Sequence, residues 1–264
     1  MYFIRHSERL DQVSPQVWKD SPRYKENKWD TPLSPNGYKI AEKTILDILE
    51  NDKREIGEIY SSPADRCIQT ALEFQKQILK IKGILVPIKI ENGLIFDFYN
   101  VENYIKKFEK RGIIFGENTK KFTFVDDYMK PKNIAKRYGE QNFDNDYKPI
   151  ISIKKINAKN NPQTQFNMRL NTVFDICDRV DLNKLNISVT HQEIIADTIC
   201  PFYFKIKYFN EIDKFREKYF ATNDYCFWIT VDVEKDKMDI LSLKNKDGVH
   251  QITKKFLESL HQKT

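Results

Sequence analysis

The sequence predicts an α/β fold, a three-layer sandwich with a mostly parallel central sheet, helices on both faces and a cap insertion. Short apolar runs suited to buried strands alternate with stretches whose apolar residues recur at helical spacing. This alternation is typical of parallel sheets covered by helices on both sides. Charged residues also follow three of the strands, and sheets of this class bind ligands beyond the carboxyl ends of their strands.

The first predicted strand ends at Ile4, where charged residues follow at once. Residues 10–31 are predicted to form a loop over the end of that strand, and the two tryptophans of the loop are predicted to be exposed. Ser34 has the residue type of a helix N-cap and Pro35 that of a first helical residue, so a helix is predicted over residues 35–50.

A second strand, residues 58–61, leads into a second predicted helix. Ser62 is interpreted as its N-cap and Pro63 as its first residue, and the apolar spacing continues to about Leu79. A third strand is predicted over residues 86–90.

Residues 98–165 interrupt this alternation, because they are rich in lysine, asparagine, aspartate and aromatic residues and show weak periodicity, apart from a short helix predicted near residues 101–110. A stretch of this length without regular structure usually has a function of its own. We interpret it as a cap insertion, with a mobile tip near residues 153–163, in a single domain that spans residues 1–264.

The regular pattern resumes after the insertion. Thr190 and Glu193 have the spacing of a capping box, so a helix is predicted to begin at His191. The other predicted elements are a helix over 166–180, strands over 185–190, 225–233 and 238–243, and a final helix over 249–260.

The chain's charge and cysteines limit its partners and compartment. The formal net charge of the 264 residues is +6, with the lysines spread along the chain, which favours an anionic small molecule or phosphorylated protein over nucleic acid. The four cysteines form no C-x-x-C pair and no apolar run is long enough to cross a bilayer. The expected location is cytoplasmic, with a nuclear one left open, and no membrane contact is expected.

Three strand-to-helix junctions carry the charge. They contain Arg5-His6, Arg66 and His191, and in a parallel sheet with right-handed crossovers such junctions lie at one edge. The planar guanidinium group of arginine and the free N–H groups at a helix N-terminus both bind phosphate oxygens well. No glycine-rich nucleotide-binding motif is present, so a phosphate site without a nucleotide is the prediction.

These motifs, in this order, resemble those of the histidine phosphatase superfamily (phosphoglycerate-mutase-like), and Glu8-Arg9 and Gly93-Leu94 most resemble its Sts-like (TULA) branch. The matching motifs are Arg5-His6-Ser7-Glu8-Arg9, Asp30-x-Pro32-Leu33-Ser34-x-x-Gly37, Tyr60-Ser61-Ser62-Pro63-x-x-Arg66-Cys67-x-Gln69-Thr70-Ala71 and Val189-Thr190-His191. The resemblance covers the chain apart from residues 98–165.

The resemblance implies roles residue by residue. His6 matches the nucleophile that is transiently phosphorylated, and Arg5, Arg66 and His191 match the phosphate pocket. We expect His191 to be protonated there, because the pocket must neutralise the charge of the phosphoryl group. Arg9 matches an extra substrate-side arginine of the Sts-like branch. Ser7 replaces the usual glycine after the histidine, and it is expected to contact the substrate as well. The branch expects a glutamate proton donor where this chain has Phe96, and the nearest acid, Asp97, is the candidate that replaces it.

The function that follows is that of a metal-independent phosphatase that hydrolyses phosphomonoesters through phosphohistidine, without a cofactor. A catalytically weak binding module with the same fold is the alternative, because Phe96 cannot donate a proton. A phosphoglycerate mutase is less favoured, because no Asn-Glu-Arg-His-Tyr-Gly segment follows the second motif. The natural substrate and a homodimeric state are left open.

Overall fold

The computed structural model describes residues 1–26, 30–95, 128–152, 162–203, 225–234, 237–245 and 248–251. Its strands are β1 (Tyr2–Arg5), β2 (Ile56–Ser61), β3 (Ile88–Ile90), β4 (Leu185–Thr190), β5 (Trp228–Glu234), β6 (Lys237–Asn245) and β7 (Gly248–Gln251). Its helices are α1 (Leu10–Val13), α2 (Pro15–Asp20), α3 (Pro22–Glu26), α4 (Pro35–Asn51), α5 (Asp65–Lys82), α6 (Pro131–Tyr138), α7 (Pro162–Arg179) and α8 (Gln192–Tyr203).

The strands form one mixed sheet in the order β3-β2-β4-β1-β5-β6-β7. The pairs β3-β2, β2-β4 and β4-β1 are parallel, whereas β1-β5, β5-β6 and β6-β7 are antiparallel. Five of the seven described strands therefore point the same way. The α/β class and the mostly parallel sheet are confirmed.

Helices cover both faces of the sheet. Ile4 of β1 packs with residues of α4 and α5, such as Ile45 and Phe74, in one core. Its neighbour Phe3 faces the other side and packs with Val173 of α7 and Ile194 of α8. Successive strand residues point to opposite faces, so β1 holds the two cores together at the centre of the molecule.

The segment between β1 and α4 differs from its prediction. Residues 10–26 form three short helices in place of a loop. Trp18 is fully buried, with its ring edge-on to Tyr24, so its predicted exposure is wrong. Burial of a large aromatic side chain is a tertiary effect that local sequence does not show. Trp29 lies outside the described residues.

Two other predicted elements also need correction. Helix α5 begins at Asp65, not Pro63, and its N-cap is Ala64 without a side-chain cap. At the C-terminal end, Gly248–Gln251 pairs antiparallel with β6, so the helix predicted from residue 249 is a strand at its start. Pairing with a neighbouring strand outweighs local helical spacing there. The helix predicted near 101–110 and most of the 153–163 tip lie outside the described residues.

The start of α4 matches the prediction and leaves no room for a side chain at Gly37. Ser34 caps the helix by accepting a hydrogen bond from the Gly37 amide at 2.9 Å. A Cβ on Gly37 would lie 2.5 Å from the Glu8 carbonyl oxygen. No described helix is long and apolar enough to cross a membrane.

Gly37→Ala should therefore destabilise the protein by about 1–3 kcal/mol, because the first motif and α4 must move apart. Urea unfolding measures this change. Lys39→Ala on the exposed face of the same helix is the control, with an expected change below about 0.5 kcal/mol. Equal stability of the two variants would contradict the close approach.

Candidate active site

The carboxyl ends of β1, β2 and β4 lie side by side and bring the three charged junctions together. His6 follows β1 and donates its backbone N–H to Thr190 at the end of β4 over 2.9 Å. Ser62 follows β2 and donates its own backbone N–H to Val189, also over 2.9 Å. These bonds continue the parallel ladder past the strands and fix the junctions against each other.

His6 is buried and has one defined tautomer. Its Nδ1 lies 2.8 Å from the carbonyl oxygen of Ser7, which can only accept, so Nδ1 carries the hydrogen. Burial and the charge of Arg66 lower the pKa of His6 well below its usual value, so the ring is neutral. Its Nε2 therefore keeps a lone pair, as a nucleophile needs.

His191 has the opposite tautomer. Its Nδ1 lies 3.3 Å from Arg66 Nη2, which can only donate, so Nδ1 accepts. Its Nε2–H then donates to the Ser62 hydroxyl at 2.9 Å. Burial and Arg66 lower the pKa of His191 well below its usual value. The ring of His191 is therefore neutral in this structure, and its protonated form during phosphoryl transfer stays a prediction.

Arg66 is held by a buried aspartate. Its Nη1 donates to Asp30 Oδ1 at 3.1 Å, and Asp30 Oδ2 accepts from the Asp65 amide at 2.8 Å. Burial and the Asp65 carboxylate raise the pKa of Asp30 to about 7, although Arg66 acts in the opposite direction. Asp30 thus fixes the first turn of α5 and the arginine that projects from it.

Asp65 connects that turn to the region predicted as the cap. Its carboxylate accepts from Arg23 Nη2 at 2.5 Å and from the Tyr128 hydroxyl at 2.8 Å. Arg137 of α6 lies 3.4 Å from the same carboxylate and stacks over the Tyr128 ring. Residues 128–138 are therefore anchored to the first turn of α5 through one ionic cluster around a buried carboxylate.

The remaining residues of the first motif make contacts within the protein. The Arg5 guanidinium lies 5.3 Å from the centre of the Tyr225 ring. Arg9 donates through two nitrogens to Asp11 at 3.0 and 2.7 Å. The Ser7 hydroxyl donates to the Gly37 carbonyl at 2.6 Å, toward α4. The substrate contacts of Arg9 and Ser7 stay predictions.

Glu91 is the acid that directly follows β3, and it supports the turn at Gly93. Its carboxylate accepts from the Gly93 amide at 2.9 Å, the Tyr147 hydroxyl at 2.7 Å and the Ile150 amide at 2.7 Å. Burial raises its pKa, while these bonds lower it. Phe96 and Asp97 lie outside the described residues, so the assignment of Asp97 as the acid stays a prediction.

Comparisons with known proteins identify the fold. A model of the histidine phosphatase superfamily (branch 1) matches residues 1–99. The ecdysone phosphate phosphatase EPPase from Bombyx mori, solved with tungstate, is similar over 96% of this chain and 95% of its own, with 17% identity and a TM-score of 0.57. This chain shares its fold with that phosphatase.

A phosphoserine phosphatase from Entamoeba histolytica, solved as a mutant in complex with phosphoserine, is also similar in structure. It is 16% identical over 92% of this chain and 94% of its own, with a TM-score of 0.49. No protein of curated function matches the sequence. The superfamily predicted by resemblance has the support of the family model over residues 1–99, whereas the Sts-like branch stays a prediction.

Within this fold, the structure brings together His6, Arg66 and His191 and adds Ser62 and Asp30. It also adds Arg169 of α7, which is buried and whose charge contributes to lowering the pKa of His191. Asp30 and Ser62 lie within the motifs named above, but the sequence alone does not indicate which residues they contact. Arg169 lies in no such motif, so nothing in the sequence singled it out.

Metal binding has no candidate in the described part of the fold. No group of three or more histidine, cysteine or carboxylate side chains there has the proximity to hold an ion. The three cysteines whose side chains are described, Cys67, Cys177 and Cys226, are buried.

Proposed function

We propose that this chain is a metal-independent phosphatase that hydrolyses phosphomonoesters through a phosphohistidine at His6. The observation that supports this most is the state of His6, a neutral imidazole with its Nε2 lone pair kept in a buried, cationic site. Arg66 supplies donors for the charge on a transferring phosphoryl group, and His191 beside it adds another when its ring is protonated. Phosphoryl transfer is catalysed mainly by such positioning and charge stabilisation.

The reaction has two steps. In the first, Nε2 of His6 attacks phosphorus, the bond to the leaving oxygen breaks, and that oxygen takes a proton from an acid, which we assign to Asp97. In the second, a water attacks the phosphohistidine while Asp97 accepts its proton. The phosphorus–nitrogen bond breaks and Nε2 recovers its lone pair.

In this proposal, residues 98–165 determine which substrates the enzyme accepts. Loops at the strand ends of a rigid α/β scaffold set specificity. Tyr128, Arg137 and Tyr138 tie the described part of this region to Asp65 and Arg23, close to Arg66. The substrate is a phosphorylated small molecule, with a phosphoprotein as the second class to be tested. Placement in the Sts-like branch rests on Glu8-Arg9 and Gly93-Leu94.

An assay on an aryl phosphate, with and without a metal chelator, tests the proposal directly. Hydrolysis is expected in both conditions at the same rate. If the purified, folded protein releases no phosphate from any of a panel of aryl, alkyl and acyl phosphates, the phosphatase proposal fails. The binding-module alternative, favoured by Phe96 at the expected acid position, would then be the better account.

Asp97→Asn should slow the hydrolysis of alkyl phosphates about a hundredfold, within the range for lost general acid catalysis. Nitrophenyl phosphate should slow much less, since its leaving group needs little protonation. The ratio of kcat/KM for the two substrates measures this difference.

Asp146→Asn is the matched control, because Asp146 is exposed and its backbone amide bonds only to Asp144 nearby. The control should leave the ratio unchanged. An equal loss on both substrates, or no loss on either, would show that Asp97 is not the acid.

A further inference from the structure

Arg5 is bordered by two aromatic rings that come from the chain just before β5. Its guanidinium carbon lies 5.3 Å from the centre of the Tyr225 ring and 5.9 Å from the centre of the Phe227 ring. Arg5 is 5% exposed, and its charge contributes to lowering the pKa of both His6 and His191. The two rings therefore contact a buried cation that lies beside both histidines of the site.

The backbone brings the two rings to Arg5 in different ways. Strand β5 runs antiparallel to β1, and the Arg5 amide donates to the Phe227 carbonyl over 2.9 Å, one residue before β5 begins. The preceding residue, Cys226, has a φ of +52°, in the left-handed region. The chain turns at this point, so Tyr225 does not continue the line of the strand.

The turn at Cys226 is strained. Cys226 is the one non-glycine residue with a positive φ in the part of the chain that the structure describes, and a Cβ is disfavoured in that conformation. Its side chain is 2% exposed and packs in the core that contains α4 and α5. Strain of this kind persists where surrounding contacts require it, and it is concentrated at functional sites.

Tyr225 is fixed at its other end by Gln12. The Tyr225 hydroxyl donates to Gln12 Oε1 at 2.5 Å, and Gln12 lies in α1, directly after the first motif. The ring thus connects the start of β5 to α1, with the Arg5 guanidinium against it. A tyrosine held at both its backbone and its hydroxyl has little freedom to move away from the arginine.

An aromatic partner differs from a carboxylate in its effect on an arginine. Arg9 donates through two nitrogens to Asp11, at 3.0 and 2.7 Å, and this ion pair compensates its charge. A ring attracts a guanidinium through its quadrupole and accepts no strong hydrogen bond. The contacts with Tyr225 and Phe227 therefore position Arg5 without using its N–H donors or neutralising its charge, and phosphate binding needs both.

We propose that Tyr225 is a positioning residue: its ring confines the Arg5 guanidinium in the orientation that binds phosphate. The turn at Cys226 and the bond to Gln12 hold the ring in place. The inference rests on the proposed function, because it concerns a donor of the same phosphate site, and it assigns Tyr225 no contact with the substrate. A free arginine side chain loses rotamer entropy when it binds an anion, and confinement before binding lowers that loss.

Arginine-selective NMR on the unaltered protein tests the confinement directly, with the Arg5 side chain assigned through its backbone. In the phosphate-free protein, the Arg5 Nε–H group should already be as rigid as in the complex with inorganic phosphate. Its proton should also be shifted by the nearby rings. An Arg5 side chain that is mobile without phosphate and becomes rigid only on binding would overturn the proposal.

Substitutions at Tyr225 test the consequence for binding. Tyr225→Leu should weaken the binding of inorganic phosphate about five- to tenfold, the range for a partly desolvated cation–π contact. Tyr225→Phe should retain most of the affinity, since it keeps the ring and loses the bond to Gln12. Tyr24→Leu is the control, because Tyr24 is a half-buried tyrosine whose ring packs edge-on against Trp18. Equal phosphate affinity of Tyr225→Leu and Tyr24→Leu would contradict the role of Tyr225.

The loss must also act through Arg5. In an Arg5→Gln background, Tyr225→Leu should change phosphate affinity less than about twofold, since the guanidinium that the ring confines is absent. An undiminished loss in that background would show that Tyr225 supports the fold or contacts the ligand itself, and would overturn the proposal. If Tyr225→Leu does not fold, the NMR comparison in the unaltered protein decides the question alone.

These measurements distinguish the inference from the proposed function. Phosphate affinity and the mobility of Arg5 are measured without turnover, so a protein that hydrolyses nothing can still show the predicted confinement. Conversely, an active phosphatase whose phosphate affinity does not depend on Tyr225 would overturn the inference alone.

Discussion

His6→Ala is expected to lower the rate of aryl phosphate hydrolysis at least about a thousandfold, because it removes the covalent nucleophile. The loss should appear in kcat and kcat/KM alike, since no other described group in the site combines a lone pair with the same position. His6 is neutral in the structure, and its lowered pKa keeps the lone pair available. Its protonation should therefore cause no loss of kcat/KM between about pH 8 and 6 in the unaltered protein.

The variant His6→Asn distinguishes the loss of the nucleophile from a loss of folding. Its side-chain amide can still donate to the Ser7 carbonyl, as His6 Nδ1 does at 2.8 Å, but it has no nitrogen lone pair in place of Nε2. It should keep the unfolding temperature near that of the unaltered protein and still lose the activity. His250→Ala, in the strand β7, should keep the activity. Residual hydrolysis above about a hundredth in His6→Asn would reject His6 as nucleophile.

Arg66→Ala is expected to reduce kcat/KM by about a hundred- to a thousandfold, the range for loss of one preorganised donor to developing charge. Arg66→Lys keeps the charge but loses the planar fork, which contacts Asp30 and His191 at the same time. It should therefore lie between the alanine variant and the unaltered protein. Steady-state kinetics on one aryl phosphate, with phosphate inhibition, measures the series.

The free energy of unfolding is measured for the same variants, so that a loss of activity can be distinguished from a loss of stability. Arg66→Ala leaves Asp30 buried beside Asp65 without its cation, so the free energy of unfolding should also fall. Arg54→Ala removes another arginine that pairs with an aspartate, Asp52 at 2.6 Å, near the start of β2 and away from the site. It should retain the full kcat/KM. An Arg66→Ala variant with unchanged phosphate inhibition would exclude Arg66 from the phosphate site.

The sequence predicted those features of the site that follow from the order of strands and helices along the chain. Strand–helix alternation places His6, Arg66 and His191 at one sheet edge, because parallel connections leave no other arrangement. The Ser34 cap was also predictable, since the N-cap, the proline after it and the glycine at its third position are local signals.

The contacts that tune the site were not predictable in this way. Ser62 has the local pattern of an N-cap, yet its hydroxyl bonds to His191, which is 129 residues away. The pairing of Arg66 with Asp30 spans 36 residues, and the Arg23–Asp65 pair spans 42. Each depends on long-range packing that brings buried charges together, and a single sequence carries no record of that geometry.

The central claim is that His6 carries the phosphoryl group, and trapping the intermediate tests it most directly. Protein quenched in alkaline denaturant during turnover of a phosphorus-labelled substrate should carry the label on His6, mapped by peptide mass spectrometry. Because Nδ1 is bound to the Ser7 carbonyl, phosphorus NMR should assign the phosphohistidine to Nε2. Label on another residue, substitution at Nδ1, or turnover with no labelled intermediate under single-turnover conditions would contradict the account.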